Sequence, residues 1–258
     1  MPPPPIPPRP GQAAPPLSPR PPPAGPLPPS WPPTCCGQLL ADGNGQQAGV
    51  LGKGIKWQAS SPLEVGSNLP GHAVYIQNPL TIHMGPPATC VDAKGRQRTE
   101  ILSWPPAAAG QTWLYQWRFH LAGPVPTSSK FFHLTQLLSR ESGGFVVALG
   151  LVNNKVKISS ILPPLVDPQT GKELTLPGMD AERYWNRTTY HRAQVQWGPG
   201  GFVDYSIADA ITGEPLLRYC VSNVGNVPAQ GSIKCGLYRA HVCSAATAVC
   251  GDFDFRPL

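Results

Sequence analysis

The 258 residues predict an all-β fold: two antiparallel sheets packed as a β-sandwich, in the manner of a jelly roll, behind a proline-rich tail. Three observations predict it. After Trp31, short alternating or wholly apolar runs are separated by glycine, proline and asparagine, the punctuation of strands joined by turns. No segment sustains a 3.6-residue period beyond about two turns, apart from AERYWN, a short helix at most. No internal repeat is visible, which argues against a propeller or a solenoid.

Taken in order, the tail comes first. Residues 1–33 hold 18 of the 35 prolines and only Arg9 and Arg20 as charges, too little apolar surface to offset chain entropy. Residues 1–34 are therefore expected to be disordered or locally polyproline II, and 35–258 to form one β domain. The formal charge is +6, yet only 13% of residues are charged and no lysine or arginine run occurs. That excludes a phosphate-tracking nucleic-acid binder and suits an acidic ligand. No stretch approaches the eighteen or so apolar residues of a membrane span.

GGFVVALGLVNNKVKISSIL reads as two strands about Asn153-Asn154. The run from His191 to Cys220 reads as three more, turning at residues 198–201 and near Thr212-Gly213. Further strands are expected around 72–78, 96–103, 111–121, 130–138, 232–240 and 250–256. About ten antiparallel strands in roughly 220 residues point to two packed sheets.

Three of these stretches carry chemistry. In SIKCGLYRA, Ile233, Cys235 and Leu237 fall on one face, and Ser232, Lys234, Gly236 and Tyr238 on the other. A solvated outer face would explain this as well as a binding face. GRQRTEIL sets Arg96, Arg98 and Glu100 on one face, where arginine can grip a carboxylate with its two-pronged donor set or form a charge ladder with Glu100. FFHLTQLLS is apolar on both faces apart from His133, Thr135 and Gln136, and a buried amide needs partners. In a regular strand His133 and Gln136 face opposite ways, so His133 is expected in the core.

In this order the three stretches resemble polysaccharide lyases of the alginate-lyase type and the related glucuronan lyases. Those enzymes carry an Arg-Ser/Thr-Glu strand, a strand with a central glutamine, and Lys-x-Gly-x-Tyr near the C-terminus; here these are Arg98-Thr99-Glu100, Gln136, and Lys234 to Tyr238. The resemblance implies a concanavalin A-like jelly roll with a cleft for an acidic polysaccharide, cleaved by β-elimination. It also implies roles. Arg98 and Gln136 would neutralise the uronate carboxylate and Tyr238 would protonate the departing O4. Lys234 and Arg96 would hold sugars, and Gly236 would leave the strand flat beneath a ring. Alginate lyases place a histidine two residues after the glutamine, where this chain has Leu138. The resemblance to the glucuronan lyases then implies an upstream histidine as the proton-abstracting base, His83 or His72, with His72 otherwise beside the substrate; the alternative is Tyr238 acting twice. Tyr238 can do so only when proton and leaving oxygen share one side of the ring, as in D-glucuronate and D-mannuronate.

Two other classes compete: a non-catalytic carbohydrate-binding jelly roll, and a glycoside hydrolase, which needs two carboxylates across the cleft. The elimination demands no metal or cofactor, although Asp252 and Asp254 in GDFDF offer carboxylates for a structural calcium. A monomer is expected. Among the seven cysteines, Cys243 and Cys250 flank a small-residue loop suited to a disulfide, and Cys235 is expected to be a free buried thiol. A bridge and the Asn186-Arg-Thr188 acceptor suit a secreted protein, against an N-terminus without an apolar signal region.

Overall fold

In TWLYQWRFHL the odd-numbered Trp113, Tyr115, Trp117, Phe119 and Leu121 alternate with Leu114, Gln116, Arg118 and His120, so one face of this strand is wholly apolar and the other mostly polar. In the computed structural model it lies mid-sheet with the odd residues in the core. The structure describes residues 37–258 except 68, 86–93, 165, 167–168, 225–226 and 241–243; the proline tail and Cys35, Cys36, Cys90 and Cys243 lie outside the described residues.

The described strands form two eight-stranded antiparallel sheets. The back sheet runs β1 (Leu39–Ala41), β4 (Leu63–Val65), β5 (Pro79–Met84), β16 (Ala246–Pro257), β7 (Thr112–Leu121), β12 (Thr188–Gln196), β13 (Gly201–Asp209), β14 (Pro215–Val224). The front sheet runs β11 (Gly178–Asp180), β10 (Lys155–Ser160), β9 (Phe145–Val152), β8 (Phe132–Ser139), β15 (Gly231–Ala240), β6 (Arg96–Ser103), β3 (Ile55–Ala59), β2 (Gln47–Gly52). The expected sandwich is present, with more strands than the sequence announced.

The β9–β10 hairpin turns at Asn153 and Asn154, both at positive φ (49° and 58°), the primed turn that asparagine favours. AERYWN supplies one 3₁₀ turn, Ala181–Arg183. Residues 72–78 are a loop rather than a strand, because partners outside any ladder take their backbone groups. Arg118 Nη1 donates to Tyr75 O at 3.0 Å, and Asp252 Oδ1 accepts from the Gln77 and Asn78 amides, each at 3.0 Å. Asp252 is thus spent on protein donors and on Arg118 at 3.5 Å, while Asp254 pairs with Arg256. Among the described residues no group of three or more metal-type ligands occurs, and no helix is long and apolar enough to cross a membrane.

Two thiols, Cys235 from β15 and Cys250 from β16, are fully buried and free. Cys250 is free, with its side chain in the core, and Cys243, the partner expected for it, lies outside the described residues. Burial pushes both thiols up, Cys250 to about 12, and the proximity of Cys250 raises Cys235 further.

The core also contains a polar knot. His191 Nδ1 meets Tyr205 Oη at 2.8 Å, Nε2 meets Thr189 Oγ1 at 2.9 Å and Tyr184 Oη at 3.1 Å, and the ring stacks on Trp117 at 4.7 Å. Tyr205 then donates across to Thr135 Oγ1 of the front sheet at 3.4 Å. Burial pulls the His191 pKa down to about 3, so folding keeps it neutral. Its contribution is complete above the ordinary histidine pKa and is lost as pH falls towards the folded value. The urea midpoint should therefore hold above pH 7 and drop from about pH 6.5 downward, with a slope for His191 of up to roughly 1.4 kcal/mol per pH unit. His191→Gln should flatten that slope; an unchanged slope would assign the acid sensitivity elsewhere.

Candidate active site

β15 is central in the front sheet, between β6 and β8. Its alternation is the one the sequence predicts: Ile233, Cys235 and Leu237 are in the core, and Ser232, Lys234, Gly236 and Tyr238 are on the outer, front face. Register then aligns the neighbours. Lys234 stands between Leu102 and Gln136, Gly236 lies opposite Glu100, and Tyr238 stands between Arg98 and His133. Arg98, Gln136, Lys234 and Tyr238, distant in sequence, therefore share one patch.

His133 is there because β8 is bulged. Leu134 is in the core cluster and Thr135 bonds to the core hydroxyl of Tyr205, so two consecutive side chains point inward and the alternation resumes out of phase. His133 emerges beside Gln136, contrary to the period-2 expectation. A single histidine in an apolar run gives no sign of this; only the pairing does.

Gly236 has a different role from the one expected. Its φ is +142°, and a Cβ there would meet Thr99 O at 2.3 Å and Glu100 Cα at 2.9 Å. Only glycine allows β15 to approach β6 this closely. The requirement comes from the backbone beneath the site rather than from a sugar above it.

Glu100 organises the patch. At 2% exposure it accepts from Gln58 Nε2 at 2.9 Å and from Gln136 Nε2, with Lys234 Nζ at 3.5 Å and Arg98 Nε at 3.8 Å. Gln136 thus spends one N–H on Glu100 and is neither orphaned nor in the core. Burial holds the Lys234 ammonium below the usual lysine range; Glu100 opposes the shift, and Arg98 and Arg140 add to it. The patch is a buried carboxylate bracketed by cations, with net positive charge directed outward.

Tyr238 is 7% exposed yet outside the core cluster, because neighbours on its own face cover it. The Arg98 guanidinium carbon lies 4.2 Å from its ring centroid and that of Arg96 5.5 Å. Phe131 and His133 flank it at 5.1 and 5.9 Å. His133 also touches Phe131 (5.2 Å) and Phe145 (5.3 Å), and its Nδ1 is buried without a hydrogen-bond partner. Burial holds the imidazole below the usual histidine range, against the opposing influence of Gln136 and Glu100.

The two upstream histidines are not brought to this patch. His83, on β5, faces out from the back sheet, 3.9 Å from Glu64 Oε2, because Leu80, Ile82 and Met84 take the inward positions. His72 pairs through Nδ1 with Nε2 of His120 at 3.3 Å, on the same remote side as Gln116 and Arg118. Neither can reach a substrate lying on β15.

Past Leu102 the row of β6 continues to Trp104, 40% exposed, with Lys56 Nζ 3.6 Å above its ring and the Arg140 guanidinium carbon at 5.7 Å. Arg140 Nε donates to Ser232 at 3.0 Å. The cationic face thus runs roughly 20 Å along the strand from Arg98, at about 3.3 Å per residue. A separate cleft of about 400 Å³ near the β9–β10 turn is lined by Pro124, Val125, Pro126, Asn154, Asp180, Glu182 and Trp185. With two carboxylates and no cation in its lining, it is the wrong sign for a polyanion.

No protein-family model and no curated protein matches the chain. Solved structures do. The endo-β-1,4-glucuronan lyase from the fungus Trichoderma reesei superposes with a TM-score of 0.55 at 12% identity, over 81% of this chain and 93% of that one. The family 7 alginate lyase A1-II′, in complex with product, gives 0.50 at 11% identity, over 75% and 86%. The chain has the jelly-roll fold of the alginate and glucuronan lyases.

Proposed function

We propose that the chain is a polysaccharide lyase that cleaves a uronate polymer by β-elimination. The observation that carries this is the meeting of Arg98, Gln136, Lys234 and Tyr238 on one face of three adjacent strands. In the elimination a base removes the proton on C5, the electron pair forms the C4=C5 double bond, and the C4–O4 bond breaks as O4 gains a proton. The carbanion-like charge on C5 spreads into the carboxylate, so donors fixed at that carboxylate lower the barrier. Arg98 and Gln136 are the donors here, Tyr238 supplies the proton to O4, and Lys234 and Arg96 hold neighbouring sugars by charge. The glucuronan and alginate named for the two superposable enzymes are the polymers to try first. A polymeric substrate of this kind also suits a secreted protein.

Incubation with glucuronan, alginate and hyaluronan in parallel should raise the ultraviolet absorbance of an unsaturated uronide with at least one of them. If no band appears while the polymer still binds, the chain is a carbohydrate-binding module. Leu138, buried on the front face where alginate lyases carry a histidine, favours that second reading.

A further inference from the structure

We propose that His133 is the base of this elimination, and that it works from the same side of the sugar as Tyr238, which restricts the substrate to uronates whose C5 proton and O4 are syn. The inference rests on the lyase reading. Among the described histidines, His72, His83 and His120 belong to the outer side of the back sheet and His191 to the core; His133 alone stands on the front face.

The side is fixed by contact. His133 and Tyr238 are register partners whose rings meet edge to face at 5.9 Å, within the range of touching aromatic pairs. An anti elimination needs base and acid on opposite faces of the sugar ring, with the ring between them. No sugar fits between two rings already in contact. A ring lying over the pair presents one side to both, so the C5 proton and O4 must both be on that side. D-Glucuronate and D-mannuronate meet the condition; L-guluronate, the C5 epimer of mannuronate, does not.

The surroundings supply the required protonation state. Facing His133 are Tyr238 from β15, Arg98 and Glu100 from β6, Gln136 from its own strand, and the rings of Phe131 and Phe145, with no titratable group on β9 opposite. Burial dominates and keeps the imidazole neutral, hence basic, at neutral pH. His133 takes the C5 proton, O4 leaves with the Tyr238 proton, and transfer from imidazolium to phenolate restores both groups.

The test has two arms. The wild-type chain is assayed on glucuronan, poly-D-mannuronate and poly-L-guluronate, and His133→Gln on whichever is cleaved, with kcat, KM, the pH profile and the melting temperature recorded. Expected are unsaturated product from the D-uronates and little or none from polyguluronate. His133→Gln should lose roughly 10² to 10⁴ in kcat, with KM and melting temperature held and the acidic limb of the pH profile gone. Equal cleavage of polyguluronate overturns the syn geometry, and a variant with wild-type kcat and pH limb overturns the role of His133. If His133→Gln does not fold, the polymer comparison still decides the geometry. No product from any uronate polymer defeats the lyase reading itself, and this inference with it.

Discussion

Tyr238→Phe is expected to lower turnover on a cleaved uronate polymer by roughly 10² to 10⁴ while leaving the melting temperature and KM close to wild type. The substitution removes one oxygen. The ring keeps its place under Arg98 at 4.2 Å and against Phe131 and His133 at 5.1 and 5.9 Å, and its hydroxyl has no hydrogen-bond partner among the described residues that the fold would miss. What disappears is the proton for O4, so the poor leaving group departs as an alkoxide. Because that interaction matures only in the transition state, kcat and kcat/KM should fall together. Steady-state ultraviolet assays of the two proteins decide it. Wild-type rates from the phenylalanine variant would remove Tyr238 from the chemistry, and a large drop in melting temperature would reassign it to the fold.

Gly236→Ala should be a severely damaging single-methyl change at the site strand of the front sheet. The added carbon would lie 2.3 Å from Thr99 O, on backbone that cannot swing away, at a φ of +142° that L-residues avoid. Either β15 and β6 part or the φ relaxes, and each outcome shifts Tyr238 relative to Arg98. A loss of roughly 1 to 3 kcal/mol in unfolding free energy is expected, from backbone strain and overpacking together. Gly150→Ala is the control, since its Cβ would meet only Phe132 O at 3.5 Å and His133 at 3.8 Å. Urea titration of both variants checks the contrast; equal midpoints would mean that Gly236 is not what holds the strands together.

Where side chains obey strict alternation, the sequence was easy to read. The faces of β15 and the asparagine turn follow from period 2 and turn chemistry, and the convergence of Arg98, Gln136, Lys234 and Tyr238 is what the resemblance of their motifs to the lyases implies. Where the period breaks, or too few residues express it, legibility ends. A bulge hides His133, because Leu134 and Thr135 both face inward and no local residue type announces it. The short β1 and β4 carry only three residues each, too few to alternate. His72 and His83 are expected at the site only through the resemblance to the glucuronan lyases, and nothing in the local sequence of either shows which sheet it joins. Gly236 was legible as a glycine but not as a contact, since the atom that demands it belongs to Thr99 on another strand.

The paired thiols in the core give the sandwich an intrinsic reporter of its own opening. Cys235 and Cys250 belong to opposite sheets, and burial suppresses the thiolate through which alkylating reagents react. Neither can be labelled until the sheets separate, whereas exposed Cys220 on the edge strand can be modified directly in the folded chain. The ratio of the two labelling rates therefore measures how often the two layers come apart under native conditions, and a ligand that clamps the front face would slow the buried pair while leaving Cys220 untouched.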